Sequence, residues 1–143
     1  MSVNAYLTCN VLVRADGVEY PIGTGDLPVT IALTSPGGVD ARRHDVANGA
    51  TATLWDATTS PAGTFKLLVI LSDQSNVMLE FQGTAIADNH HFELTAGVPF
   101  QLASDDTLRY NAASFTGAAD DFKKILAKNN SGNAALIQVL VAE

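Results

Sequence analysis

Residues 65–82, FKLLVILSDQSNVMLEFQ, decide the fold class. From Val77 to Gln82 the apolar side chains Val77, Leu79 and Phe81 alternate with Met78, Glu80 and Gln82, the period of two expected of a strand with one face in water. The run from Phe65 to Ser72 is apolar at odd and even positions alike, which predicts a strand central in its sheet or covered on both sides. Asp73-Gln74-Ser75-Asn76 stands between them and is made of turn formers, so the two runs are expected to pair as a hairpin.

Short runs of the same kind, bounded by Gly, Pro, Asn and Asp, recur along the whole chain, and helical periodicity is nearly absent. Strands are expected at Asn4 to Val13, Val18 to Ile22, Val29 to Leu33, Arg43 to Val46, Ala50 to Trp55, His90 to Thr95, Phe100 to Ala103 and Leu108 to Tyr110. Two more are expected at Phe122 to Lys128 and Ala134 to Val141. Asp16-Gly17, Asn48-Gly49 and Ser131-Gly132 supply residues that tolerate positive φ and can reverse the chain. In the last strand Ala135, Ile137, Val139 and Val141 share a face, as do Ile125 and Ala127 before it. Asn129 to Asn133 is expected to close these two into a pair. A rival reading is a short helix from Asp120 to Lys128, whose early acids and later lysines suit the helix dipole.

Strands at these intervals without intervening helices imply an all-β fold, an antiparallel two-sheet β-sandwich of jelly-roll type. At 143 residues the chain is expected to be one domain spanning 1–143, with the first few residues an extended arm. No repeat or compositional break divides it; Ala57 to Gly63 reads as one exposed loop.

The formal charge of −7 with only 8 Lys and Arg argues against nucleic-acid binding, which needs clustered cations. No signal-peptide pattern and no apolar stretch of membrane-spanning length are present, so a soluble chain is expected. Charged residues make up only 16% of the chain, a thin supply for covering a small globule, which favours homo-oligomerisation or assembly on a partner. The lone Cys9, within an apolar run, reads as a small buried hydrophobe and excludes a disulfide framework.

Asp88-Asn89-His90-His91-Phe92-Glu93-Leu94 raises the question of a metal. A jelly-roll metal site of the cupin type resembles His-x-His with a glutamate and a later histidine. Here the adjacent imidazoles point to opposite faces of a strand, only His91 shares the parity of Glu93, and His44 is the sole other histidine. No metal ligand and no cofactor are assigned; one ring of the pair is expected to be exposed and the other half covered. The serine-nucleophile elbow, the phosphate-binding glycine loop and the HExxH zinc motif do not occur. Asp105-Asp106 and Asp120-Asp121, with Asp73, are candidate calcium ligands but lack the spaced calcium-loop pattern, and solvated turn acids explain them better. Asn129-Asn130-Ser131 is formally a glycosylation sequon that an Asn-rich turn explains equally. Trp55, Tyr110 and Tyr20 are candidates for a sugar-stacking platform, although Trp55 follows Leu54 at a strand end and its ring suits the core.

The segments Phe92 to Leu102 and Lys124 to Val139 resemble small β-sandwich virion proteins of tailed bacteriophages, in particular jelly-roll capsid cement, or decoration, proteins. That resemblance covers roughly the second half of the chain and rests on style of sequence, not on a diagnostic motif. It implies a structural protein on the outer surface of a phage capsid, made in the host cytoplasm, that cements neighbouring subunits of the major capsid protein. It implies a trimer, no enzyme activity and no cofactor. Met1, Ser2, Val3 and Asn4, and the loop Ser35, Pro36, Gly37, Gly38 and Val39, are the candidates for reaching a neighbour. Two other readings are a receptor- or glycan-binding module of a phage fibre or tail and, less favoured, a cupin-like metalloenzyme.

Overall fold

The computed structural model describes the backbone of residues 3–7, 10–15, 18–23, 29–33, 38–83, 89–103, 109–110 and 120–143, with side chains at 38–83, 89–103 and 121–143. Among the described residues the secondary structure is entirely β. Strands β1 (Val3–Leu7), β2 (Asn10–Ala15), β3 (Val18–Gly23) and β4 (Val29–Leu33) form two antiparallel pairs, β1 with β4 and β2 with β3. The single strand expected from Asn4 to Val13 is therefore two, each with a different partner. Cys9 and the Asp16-Gly17 turn lie outside the described residues.

The eight strands β5 (Val39–Val46), β6 (Thr51–Asp56), β7 (Leu67–Ser72), β8 (Val77–Gln82), β9 (His90–Leu94), β10 (Phe100–Ala103), β13 (Lys124–Asn129) and β14 (Ala135–Ala142) make two four-stranded antiparallel sheets. Their orders are β10-β7-β14-β5 and β6-β13-β8-β9. Each consecutive step along these strands crosses from one sheet to the other except β8 to β9, which pair. This is the strand order of a jelly roll. Between β10 and β13 lie the two-residue strands β11 (Arg109–Tyr110) and β12 (Asp120–Asp121), paired with each other. With strands over Asp120–Asp121 and Lys124–Asn129, the helix considered for 120–128 does not form.

The expected pairing of β7 with β8 is not what folds: β7 lies between β10 and β14, and β8 between β13 and β9. The inward sides of the two strands, Leu68 and Ile70 on one and Val77, Leu79 and Phe81 on the other, belong to one core shared by the two sheets. Asp73–Asn76 is thus a corner between layers, with Asn76 in the left-handed region at φ 58°. The same correction applies to β13 and β14, whose connecting turn also changes sheet. β5 begins at Val39, four residues before the expected Arg43.

Two consecutive residues of β6, Leu54 and Trp55, are both buried, against the alternation of a regular strand. A bulge accounts for it. β13 pairs Ile125 with Trp55 and Leu126 with Thr53, leaving Leu54 as an extra residue that lets both side chains enter the core. An aromatic chain runs from the interior to the surface: Trp55 meets Phe65 edge-on at 5.2 Å, Phe65 stacks on Phe122 at 5.6 Å, and Phe81 links Phe122 to Phe100 and to the exposed Phe92. The Trp55 indole N–H donates to the Ala62 carbonyl at 2.9 Å, which removes Trp55 from any sugar platform. Tyr20 and Tyr110 lie in β3 and β11, and their side chains are outside the described residues.

Candidate interaction surface

Alternation along β5, β7 and β14 sends one set of side chains into the core and the other onto the outer face of the sheet. The outward set of β7 is Leu67, Val69 and Leu71. That of β14 is Leu136, Gln138, Leu140 and Ala142, and that of β5 is Val39, Ala41, Arg43 and Asp45. Register aligns them in rows: Ala41, Leu140 and Val69 in one, Val39, Ala142 and Leu67 in the next, Arg43, Gln138 and Leu71 at the polar end. Leu67 and Ala142, both buried within the chain, and the partly buried Val39, Val69 and Leu140 packed against them form an apolar cluster separate from the core. Beside it a shallow depression of about 460 Å³ is lined by Ala41, Arg43, Val69, Leu71, Gln138 and Leu140. A sandwich with one wet face would carry polar residues here, so the apolar character of both faces of β7 reflects two different surfaces.

The opposite sheet shows the ordinary pattern. On its outer face Glu80 accepts from Gln82 Nε2 and Asn89 Nδ2, and its Oε2 lies 3.0 Å from His91 Nε2. Those bonds, Gln82 foremost and then His91, hold the Glu80 carboxyl below the usual carboxylate range. His91 is exposed and belongs to this network; His90, half-buried, is on the other face, paired in register with Phe81. The two imidazoles of the histidine pair therefore do not converge. Among the described residues no three His, Cys, Asp or Glu side chains come together. The space between the sheets, where a cupin-type metal would lie, is filled by Trp55, Phe65, Phe81, Leu68 and Ile70.

The candidate calcium ligands are likewise separated. Asp73 sits at the end of the sandwich where Asn129 ends β13, and its carboxylate accepts from the Leu136 N–H at 2.8 Å. Asp120–Asp121 precede the other end of that six-residue strand, about 17 Å away. Asp105 and Asp106 lie outside the described residues. The sequon asparagine, Asn129, has no solvent exposure, and its amide donates to Val46 O and Asn133 O, both at 2.7 Å. Nothing in the sequence pattern marks this role, which belongs to packing between distant turns.

Of the residues expected to reach a neighbour, Val3 and Asn4 lie in β1, opposite Leu33 and Ala32. Met1, Ser2, Ser35, Pro36 and Gly37 are outside the described residues. Gly38 is buried and its carbonyl accepts from Glu143 N–H at 2.8 Å; Val39 opens β5 and joins the outer apolar cluster. The apolar outer face was not singled out from the sequence, although the two-sided hydrophobicity of 67–71 carries its signal.

No family model, curated protein or solved structure matches this chain. The resemblance of its second half to tailed-phage virion proteins thus gains no relative from these comparisons, and the fold and surface carry the functional argument.

Proposed function

We propose that this chain is a structural docking protein, a jelly-roll cement protein that sits on the outer surface of a tailed-phage capsid and clamps neighbouring major-capsid subunits without catalysis. The observation that carries the reading is the apolar depression on the outer face of the β10-β7-β14-β5 sheet, lined by the partly buried Val69, Leu71 and Leu140 and rimmed by Arg43 and Gln138. Full burial of an exposed apolar side chain contributes about 1.5–3 kcal/mol, and Val69, Leu71 and Leu140, already partly buried, each add a part of that at every repeat of a lattice contact. The interior offers a packed aromatic core, which suits a module that works through its surface. The jelly-roll order supports the reading only at the level of fold, since this architecture hosts many functions.

Co-sedimentation with expanded, undecorated capsids tests it. The expected result is saturable binding that raises the temperature of capsid disruption. Binding to host cells with none to capsids would assign the chain to a fibre or tail and end the proposal.

A further inference from the structure

β5 is an eight-residue edge strand, hydrogen-bonded to β14 on one side only among the described residues. Ala41, Arg42 and Arg43 are exposed in succession, so both faces of the strand are open at this edge, and Asp45 is exposed beyond them. Long free edges invite pairing with another chain, and charged side chains ordinarily discourage it. The sign pattern here does something more selective. Arg43 and Asp45 share the outer face two residues apart, and their cross-strand neighbours on β14 are the uncharged Gln138 and Leu136. Neither has an ion-pair partner among the described residues.

We infer that β5 pairs antiparallel with β5 of a second copy about a twofold axis at His44, joining two four-stranded sheets into one of eight strands. Opposed residues of an antiparallel pair lie on the same face and faces alternate along a strand, so an axis perpendicular to the sheet must pass through a residue. Centring at Asp40, Arg42, Arg43 or Asp45 sets that charged residue against its own copy, which like charge disfavours, and centring at Ala41 offers Arg42 only the buried Asp40, already held by Arg42 and Ser60 of its own chain. Centring at His44 sets Arg43 opposite Asp45 of the second copy, twice, with side chains about 4.5–5.5 Å apart at Cβ. The apolar outer faces of both copies then flank a central block of paired charge. A twofold contact of this kind differs from the threefold arrangement that the phage resemblance implies. It concerns the purified chain alone, so its failure is separable from that of capsid docking.

Sedimentation equilibrium of the full chain and of three variants tests this. The parent is expected to reach twice the 15.0 kDa of one chain with rising concentration. Arg43→Asp alone and Asp45→Arg alone each place like charges across the axis and are expected to weaken the dimer about tenfold. The double exchange, Arg43→Asp with Asp45→Arg, restores the complementary pattern and is expected to restore the dimer. Both positions are exposed, and circular dichroism of each variant checks that the fold is retained. A parent that stays monomeric or forms a trimer, single variants that dimerise as the parent does, or a double exchange that fails to rescue would each overturn the inference.

Discussion

The Asn129 side chain, fully enclosed, donates to the Val46 carbonyl at 2.7 Å and so ties the end of β13 to the corner between β5 and β6. Its second amide hydrogen reaches Asn133 O, its Oδ1 accepts from Ser131 N–H, and the neighbouring Asn130 N–H donates to Asn76 O. Three corners at one end of the sandwich are stitched together by these asparagines. Asn129→Ala takes this donor from the buried Val46 carbonyl, while Asn133 O keeps the Ser131 hydroxyl, and is expected to cost about 1–3 kcal/mol, read from urea denaturation midpoints. A loss under about 0.5 kcal/mol, the size of an ordinary surface change, would deny the residue this role.

Trp55 is the chain's one tryptophan and is 1% exposed, with its N–H satisfied by Ala62 O. Its emission is therefore expected to be blue-shifted in the folded chain and unmoved by a broad glycan panel. Trp55→Phe keeps most of the core contact but leaves the Ala62 carbonyl unpaired, at an expected cost of about 1–3 kcal/mol in denaturant. A glycan-dependent emission shift would contradict the buried placement.

Asp56 accepts from the Thr58 hydroxyl at 2.6 Å and the Thr58 N–H at 2.9 Å, with Lys124 Nζ 3.0 Å from its other oxygen. These contacts, Thr58 first, hold its carboxyl down from 3.8 to about 2. A carboxyl depressed on folding stabilises the fold above its unfolded pKa and ceases to do so as the pH falls through the folded value. Asp56→Ala is expected to cost about 1 kcal/mol at neutral pH, a figure reduced for screening at a partly exposed site. The gap from the parent should close between pH 3.8 and about 2. Denaturation curves at stepped pH check this, and a gap that stays constant to pH 2 would assign the loss to packing.

How far the sequence discloses this molecule depends on whether the signal is local. Alternation in β8 and β14 is local, and Val77, Leu79, Phe81, Ile137, Val139 and Val141 are all buried as their parity predicts. Sheet membership is not local: Asp73–Asn76 has the chemistry of a reversal and serves a hairpin or an interlayer corner equally well. The first half of β5 is hidden because Asp40, Arg42 and Arg43 interrupt the apolar pattern, as edge-strand charges do. Asp40 is nonetheless buried, since its carboxylate accepts from Ser60 Oγ at 2.6 Å and Arg42 Nε at 2.7 Å. The bulge at Leu54 leaves no trace in a residue pattern. The histidine pair was readable, because adjacency alone sends His90 and His91 to opposite faces.

The outer sheet face makes a prediction independent of any partner's identity. Val69→Asp and Leu140→Glu introduce charge on half-buried outward positions and are expected to lower stability by about 1–2 kcal/mol while leaving the jelly roll intact. Capsid binding is expected to drop at least about tenfold, since a charge must then be desolvated at the contact. Equal binding by parent and variants would remove this face from the interface.

Capsid docking is best tested by a reconstruction of expanded capsids incubated with the purified chain. Jelly-roll density is expected on the outer shell, with Val69, Leu71 and Leu140 turned toward the major capsid protein. A bare shell, or bound density with this sheet face turned to solvent, would contradict it.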